Sequence, residues 1–392
     1  MEGILLKITD VTAVSLVVPI QERMKAPISL PYADELGPIV FGQYRTTLVR
    51  IKTDEGIEGV GECMVRLAPT ATREIVHALR PVLVGKDPYD VEVIWERLYG
   101  MMMNRGHDKG FYLEAVSGID IALWDIMGKA EGKPVAALLG GIANATFPVY
   151  ASSVRFRGFE QTLADAKKFV EKGYRAIKIK VGQNPRRFVD DIEVVRTIRG
   201  ELGSDIDLMV DANCGYDVGT AVAVGRKLEE LDVRWFEEPI APDDLQGYEL
   251  LQRKLDIPIA GGETQFSRFG MRDILSRRLI DIVQPNVSRA GGFTECRKIA
   301  ALASAFHVPY APHTGSSSAI CIAASMQLAA ALPTSLIFES MESDWSKTQE
   351  NPLRQRLAPA PIATFSDGNF TLDQRPGLGV TLNEEIVAAY TV

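Results

Sequence analysis

The sequence has 392 residues, of which 46% are hydrophobic and 24% are charged, and its formal net charge is −8. This composition is typical of a folded globular protein and excludes a disordered or fibrous chain. The length fits about two domains. Because no run or stripe of basic residues is present, the charge argues against nucleic acid or an anionic membrane as the main partner.

The cysteines and the first residues indicate the compartment. The four cysteines are widely spaced and form no C-x-x-C pair: Cys63, Cys214, Cys296 and Cys321. This pattern argues against a disulfide framework or a structural zinc site. The first 20 residues lack the basic, apolar and cleavage regions of a secretory signal, and no window of 18 residues is apolar and uncharged. We therefore expect a cytoplasmic protein.

Residues 1–140 are predicted to form a small α+β domain. β-Branched residues favour strands at 8–20, 45–52 and 57–62. A helix is predicted over 113–131, where apolar residues recur at helical spacing and Gly132 to Pro134 provide a stop.

From residue 141 to 340, short apolar strands alternate with amphipathic helices such as 162–172. Eight such units favour parallel pairing with right-handed crossovers and a closed barrel over an open Rossmann-type sheet. After residue 340 the alternation ends. Asp367-Gly368 then predicts a hairpin, and residues 341–392 are expected to pack back on the N-terminal domain. The strands are predicted at 149–152, 176–181, 207–213, 234–238, 258–263, 281–287, 308–313 and 336–339.

Three consecutive strands end in carboxylates, at Asp211, at Glu237 or Glu238, and at Glu263. The spacing is regular, with 26 residues from Asp211 to Glu237 and 26 from Glu237 to Glu263. Carboxylates buried at strand ends are costly unless a cation compensates them. A set of oxygen donors alone suits a hard cation, so we expect Mg²⁺, without excluding Mn²⁺. The alternative is a structural network of charges with neighbouring lysines.

Two lysines and a histidine complete the polar set. Lys178 and Lys180 lie on one face of a strand, and their mutual repulsion near a metal favours a neutral amine, which is a competent general base. His313 ends the seventh predicted strand, across the barrel from the lysines. The alternatives are two solvated lysines and a histidine that is part of the core.

Six short motifs occur in order along the chain, and together they resemble the mandelate racemase subgroup of the enolase superfamily. The resemblance covers essentially the whole sequence. It implies a modified TIM barrel, (β/α)7β, with an α+β capping domain completed by the C-terminal segment, one Mg²⁺ per subunit and a homo-oligomer. The motifs are K-I-K at 178–180, D-A-N at 211–213, F-E-E-P at 236–239, G-G-E at 261–263, Q-P-N-x-S-R-A-G-G at 284–292 and A-P-H at 311–313.

The resemblance also implies roles for single residues. Lys180 resembles the base, with Lys178 beside it tuning its charge and contacting the substrate carboxylate. His313 resembles a second acid or base. The subgroup commonly pairs this histidine with an aspartate, where this chain has Asn286, which can orient the ring but supplies no charge. The implied metal ligands are Asp211, Glu237 and Glu263, and the implied substrate contacts are Lys178, Asn213 and Glu339.

These features favour abstraction of the α-proton of a small carboxylate substrate through a metal-stabilised ene-diolate. Because Asn286 weakens the case for a second base, we expect dehydration of a sugar acid to a 2-keto-3-deoxy acid. The alternatives are cycloisomerisation of a sugar-acid lactone, racemisation or epimerisation of a 2-hydroxy acid, and a barrel that serves only as a scaffold. Substrate specificity is expected in loops 20–44 and 104–111.

Overall fold

The first three strands form an antiparallel sheet in the order β1 (Ile8–Pro19), β2 (Gln43–Thr53) and β3 (Glu58–Cys63). The computed structural model describes residues 6–21, 35, 37–182, 188–341 and 349–392. Most of loop 20–44 therefore lies outside the described residues. The helices that follow the sheet are α1 (Pro69–Leu83), α2 (Val91–Met103), α3 (Phe111–Ala130) and the short α4 (Val135–Leu138).

The glycines of β3 allow α3 to lie directly on the sheet. A Cβ atom on Gly61 would overlap the carbonyl oxygen of Gly118, in the middle of α3. Glycine is needed where another backbone approaches a strand this closely. Helix α3 is buried along most of its length, because the sheet covers one side of it and the barrel lies on the other.

The second domain is a parallel barrel of alternating strands and helices, as predicted. Its strands pair with their neighbours in chain order, and β10 pairs in parallel with β4 to close the ring. The strands are β4 (Thr146–Val154), β5 (Ala176–Lys180), β6 (Asp207–Asp211), β7 (Val233–Glu237), β8 (Ile259–Gly261), β9 (Ile282–Val283) and β10 (Phe338–Met341). The helices are α5 (Phe159–Glu171), α6 (Phe188–Leu202), α7 (Val218–Glu230), α8 (Leu245–Lys254), α9 (Ser267–Ser276), α10 (Gly292–Ala305) and α11 (Ala319–Ala331).

The seventh strand is much shorter than the sequence predicts. Only Tyr310 occupies this position, through single bridges to Val283 and Ser335. In the described residues after β10, the first helix is the four-residue α12 (Pro352–Gln355). The architecture is therefore a (β/α)7β barrel with an N-terminal capping domain.

Side chains alternate strictly between the inside and the outside of the barrel. Because residues two apart on a strand share a face, the inner cluster fixes which side chains point into the barrel mouth. Three polar residues each lie two positions after a member of this cluster and therefore share its face: Lys178 after Ala176, Asp211 after Met209, and Glu237 after Trp235. The inner cluster consists of Tyr150, Ala176, Met209, Trp235, Ala260, Ile282, Ala311 and Ile337.

The C-terminal segment contacts both domains. The predicted hairpin is present as β11 (Ala363–Ser366) and β12 (Asn369–Leu372), and β12 pairs antiparallel with β4 of the barrel. Helix α13 (Glu384–Tyr390) returns to the capping domain, where the N–H of Val392 donates to the carbonyl oxygen of Ser15 at 3.0 Å. Within the described part of the chain, the helices are too short or too polar to cross a lipid bilayer.

Candidate active site

The register of the barrel places one lysine and two of the predicted carboxylates side by side. Lys180 is paired across the ladder with Asp211, and Asp211 with Glu237. Lys180 and Asp211 form an ion pair in which Lys180 keeps 18% of its side chain exposed. Although burial opposes ionisation of Asp211, the lysines lower its pKa. The exposed amine of Lys180 is thus accessible from the mouth, and the carboxylate of Asp211 is not.

Lys178 is buried among carboxylates. Its Nζ lies 2.5 Å from Glu237 Oε1, 2.8 Å from Glu339 Oε1 and 3.6 Å from Asp211 Oδ2. Burial disfavours its charge, but Glu237 and Glu339 raise the pKa of Lys178 well above its usual range. With these partners Lys178 is an ammonium ion. Lys178 is therefore held by carboxylates on several sides, and Lys180 is the more accessible of the two lysines.

The inner face distinguishes Glu237 from Glu238. Glu237 shares its face with Trp235, whose Nε1 donates to Glu237 Oε2 at 3.1 Å, and Gln284 Nε2 donates to the same oxygen at 2.7 Å. Burial raises the pKa of Glu237 to about 8, with Asp211 adding to this effect and Lys178 opposing it.

Glu238 is also buried, in a left-handed backbone conformation with φ of 39°. Cys214 Sγ donates to its Oε2 across 3.6 Å, and its Oε1 has no hydrogen-bond partner among the described residues. Burial, reinforced by Glu263 and Asp211, raises the pKa of Glu238 well above its usual range. Nothing in the sequence indicates that both glutamates of this pair are buried near the mouth.

A glycine turns Glu263 into the mouth after β8 has ended. Gly262 has φ of 116°, a backbone conformation that residues with a side chain rarely adopt. Glu263 Oε2 then lies 3.1 Å from His313 Nε2, and Glu263 Oε1 lies 3.7 Å from Arg66 Nη2. Glu263 therefore faces a different set of partners from Asp211 and Glu237.

Asn286 fixes the orientation of His313. Ser288 N–H donates to Asn286 Oδ1 at 2.9 Å, and Asn286 Nδ2 donates to the carbonyl oxygen of His313 at 3.1 Å. These two bonds define the amide orientation, which leaves Nδ2 at 3.2 Å from His313 Nδ1. Because an amide N–H faces Nδ1, this ring atom is an acceptor and the proton resides on Nε2. Burial lowers the pKa of His313, which also favours the neutral ring.

Glu339 links the lysine side of the site to the histidine side. In addition to Lys178, it accepts a hydrogen bond from Thr314 N–H at 2.6 Å. Burial disfavours its charge, but Lys178 and His313 lower the pKa of Glu339. Asn213 lies beyond β6, half-buried, and its N–H donates to Asp211 Oδ1 at 2.8 Å. All the predicted site residues thus lie at one end of the barrel.

The donor set suits a hard divalent cation. Asp211, Glu237 and Glu263 are buried and offer oxygen atoms only, which is the chemistry that Mg²⁺ prefers. In the described residues, no three histidine, cysteine, aspartate or glutamate side chains are grouped closely enough to hold an ion. Instead Asp211 and Glu237 are paired with lysines, and Glu263 contacts His313 and lies 3.7 Å from Arg66. A bound metal would compete with these side chains for the carboxylate oxygens.

Three residues that contact the site carboxylates were not predicted from the sequence. Trp235 and Gln284 donate hydrogen bonds to Glu237. Both lie two residues from another inner-face residue, so the alternation of the strands could have identified them. Arg66 reaches Glu263 from the capping domain, and no pattern in the sequence indicates it. Loop 104–111, which is expected to contribute to specificity, is largely exposed.

Two family models together match most of the chain. Residues 31–140 match the mandelate racemase / muconate lactonizing enzyme N-terminal domain, and residues 161–386 match the family described as enolase C-terminal domain-like. The first match ends where the capping domain ends, and the second covers most of the barrel and extends through the C-terminal segment.

Individual relatives align over nearly the full length. D-galactarolactone cycloisomerase of Agrobacterium fabrum is 36% identical over 357 residues, which cover 89% of this chain and 92% of that protein. D-galactonate dehydratase of Pectobacterium atrosepticum is 34% identical over 350 residues, which cover 88% and 90%. The crystal structure of 3,6-anhydro-D-galactonate cycloisomerase from Zobellia galactanivorans superposes with a TM-score of 0.85 at 29% identity, covering 98% of this chain and 99% of that one.

Proposed function

We propose that this chain, which belongs to the mandelate racemase / muconate lactonizing enzyme family, removes the α-proton of a sugar acid and expels the oxygen on the neighbouring carbon. Relatives over most of its length are named as sugar-acid dehydratases and a sugar-lactone cycloisomerase. The chain is accordingly an enzyme of lyase or isomerase type. Its proposed cofactor is Mg²⁺.

One observation carries this proposal. Lys180 and His313 stand on different sides of a group of buried carboxylates, each in contact with one member of the group. A substrate carboxylate bound at this group would place its α-carbon between the two side chains. Lys180 is the accessible amine, so we assign it the removal of the α-proton.

The cofactor would be held by Asp211, Glu237 and Glu263. A bound Mg²⁺ supplies positive charge opposite the substrate carboxylate, where negative charge develops as the proton leaves. Lys178, which Glu339 holds by an ion pair, then orients the same carboxylate by charge, and Asn213 is proposed to contact a substrate hydroxyl.

The tautomer of His313 favours elimination over racemisation. A second base would need a lone pair on Nε2, but the contact with Asn286 leaves a proton there. His313 can therefore donate a hydrogen bond to the oxygen that leaves. In a dehydration this oxygen departs as water with a proton supplied by solvent while Nε2–H hydrogen-bonds to it, and the enol product tautomerises to a 2-keto-3-deoxy acid.

The same tautomer supports cycloisomerisation of a sugar-acid lactone as the second candidate. A ring oxygen expelled from a lactone leaves as a carboxylate, which requires no proton. A neutral His313 without a charged partner is sufficient for such a leaving group.

The test is exchange of the α-proton in deuterated solvent. The wild-type protein, with Mg²⁺ and a series of sugar acids and lactones, is expected to exchange or eliminate, as followed by proton NMR. Lys180→Met is expected to abolish exchange, whereas Lys167→Met, which removes an exposed lysine paired with Glu201 on the barrel surface, should leave it unchanged. Undiminished exchange in Lys180→Met would contradict the assignment. The two candidate reactions are distinguished by which substrate yields a keto acid in the NMR spectra, the open-chain acid or the lactone.

A further inference from the structure

A guanidinium group of the capping domain lies at the histidine side of the mouth. Arg66, three residues after β3, donates from Nη1 to Ser316 Oγ at 2.7 Å and lies 3.7 Å from Glu263. Its chain segment is fixed on both sides. Met64 N–H donates to the carbonyl oxygen of Ser288 at 3.0 Å, and Arg45 donates to the carbonyl oxygen of Arg66 at 3.0 Å.

A second arginine, Arg289, lies close enough for its charge to add to burial in lowering the pKa of Arg66. Arg289 stacks over the ring of Phe266 at 4.9 Å, and its Nε is 3.7 Å from Glu114 Oε1. In the described residues, neither this buried Nε nor Glu114 Oε2 has a hydrogen-bond partner. Glu114 is therefore close enough to offset one positive charge, but it does not satisfy the hydrogen-bonding groups of either arginine.

Arg66 has unused donors. A guanidinium carries five N–H groups in a planar fork that matches a carboxylate. Among the residues that the structure describes, Arg66 uses one of them, on Ser316, and its distance to Glu263 is too long for a direct hydrogen bond. Two neighbouring arginines with unused hydrogen-bond donors favour the binding of an anionic ligand.

The arginines lie across the barrel from the lysines. Lys178 and Lys180 are on the second of eight strand positions, and Arg289 follows the sixth. In a closed ring of eight strands these positions are opposite. Under the proposed function, the reacting carboxylate lies near the lysines. A substrate that spans the mouth then brings its far end to the arginines.

We propose that Arg66, assisted by the charge of Arg289, binds a second carboxylate at the far end of the substrate. The substrate class is then a sugar diacid or its lactone, not a sugar monoacid. This inference rests on the proposed function for the placement of the reacting end. It adds a specificity residue on the capping domain.

The lactone of a diacid fits this arrangement without a strong acid. The C–H bond at the α-carbon breaks and its proton goes to Lys180, a carbon–carbon double bond forms, and the bond to the ring oxygen breaks. The electron pair of that bond remains on the released carboxylate, which Arg66 receives. Solvent returns one proton when the enol becomes a ketone, so the product is an isomer of the substrate.

The experiment compares galactarate with galactonate, which differ in a carboxylate or a hydroxymethyl group at C6. Binding is measured by calorimetry with Mg²⁺ in the Lys180→Met background, where turnover is absent. We expect tighter binding of galactarate, and a loss of about 10- to 100-fold when Arg66→Met is added. Galactonate binding should change by about twofold or less. Arg66→Lys, which keeps the charge but not the fork, should lose an intermediate amount. Arg80→Met, an exposed arginine of the capping domain paired with Asp10, is the matched control.

The outcomes separate the two proposals. Equal affinity for the two acids, no binding of the diacid, or an equal loss for both in Arg66→Met would overturn the second-carboxylate site. Arg66-dependent binding of galactarate in a protein whose wild type exchanges no α-proton would retain this site and overturn the proposed function. Thermal unfolding of each variant shows whether a loss of binding is caused by misfolding.

Discussion

The carboxylate of Glu62 in the capping domain accepts two hydrogen bonds from Ser318, the residue that precedes helix α11 of the barrel. The N–H of Ser318 donates to Oε1 at 2.8 Å and its hydroxyl donates to Oε2 at 2.5 Å. Cys321 N–H and the Thr46 hydroxyl add bonds of 2.7 and 3.0 Å. A buried anion of one domain thus satisfies free N–H groups at the start of a helix in the other.

Glu62→Ala is expected to destabilise the whole protein. Buried donors on both domains lose their acceptor, so we expect the free energy of unfolding to fall by about 3 kcal/mol or more. Urea denaturation followed by circular dichroism measures the change. Glu58→Ala, on the same strand but in a partly exposed pair with Arg50, should cost about 1 kcal/mol or less. Similar losses in both variants would show that the contact between the domains contributes nothing to the free energy of unfolding.

Mg²⁺ is expected to raise the melting temperature of the wild-type protein, because a ligand that binds only the folded state stabilises it. At a concentration of 100 times the dissociation constant the gain is about 2.7 kcal/mol. Asp211→Asn should abolish this gain. Asp207→Asn, at the opposite end of β6 and paired with Arg234, should retain it. A magnesium-dependent shift that persists in Asp211→Asn would exclude this carboxylate as a ligand.

The two neighbouring glutamates are expected to differ in the same assay. Glu237 faces the mouth, so Glu237→Gln should remove the magnesium-dependent shift. Glu238 has a left-handed backbone conformation, and its Oε2 accepts a hydrogen bond from Cys214 Sγ. Glu238→Gln should therefore keep most of the shift. The reverse result would move the metal-binding role to Glu238.

Asn286→Asp is expected to change the reaction. A carboxylate beside His313 would accept a hydrogen bond from a protonated Nδ1. This tautomer leaves a lone pair on Nε2, so the ring can act as a base. We expect epimerised substrate to appear in NMR spectra, together with an elimination rate lower by about tenfold. Asn286→Ala should slow elimination without epimerisation. If Asn286→Asp gave only the wild-type product at the wild-type rate, the amide would have no influence on the ring.

The stability contributed by Asp120 is expected to fall as pH rises. This residue of α3 accepts a hydrogen bond from Thr294 N–H of α10 at 3.1 Å, and burial raises its pKa from 3.8 to about 7. Between these pH values the folded state holds a proton that the unfolded state has lost, so stability declines toward pH 7.

Asp120→Asn removes this titration. Relative to the wild type, the variant should therefore gain up to about 3 kcal/mol between pH 5 and pH 8, as measured by urea denaturation at each pH. A constant difference between the two proteins across this range would contradict the raised pKa. Asp10→Asn, whose carboxylate is exposed and bound to Arg80, provides the comparison.

The period-two pattern of the strands made much of the site predictable. An apolar residue at 176 and 209 places Lys178 and Asp211 on the inner face, and the strand order then makes them neighbours. The pattern fails where the strand stops. Glu263 is turned by the left-handed Gly262, so its partners His313 and Arg66 follow from local geometry that the spacing of carboxylates does not contain.

Contacts between the two domains were not predictable. Arg66 and Glu62 look like ordinary charged residues of a small α+β domain. Their burial against Ser316 and Ser318 depends on how the capping domain docks on the barrel. The length of the seventh strand was also overestimated, because residues 308–312 are largely apolar although only Tyr310 has ladder partners.

The two sides of the mouth are supported by ladders of unequal length. Lys180 ends a strand of five residues that is paired on both edges, whereas in the segment leading to His313 only Tyr310 has ladder partners. Local opening is easiest where few backbone hydrogen bonds must break together. Amide hydrogens around residue 310 should therefore exchange with solvent sooner than those of β5, so the histidine side of the mouth is expected to open before the lysine side.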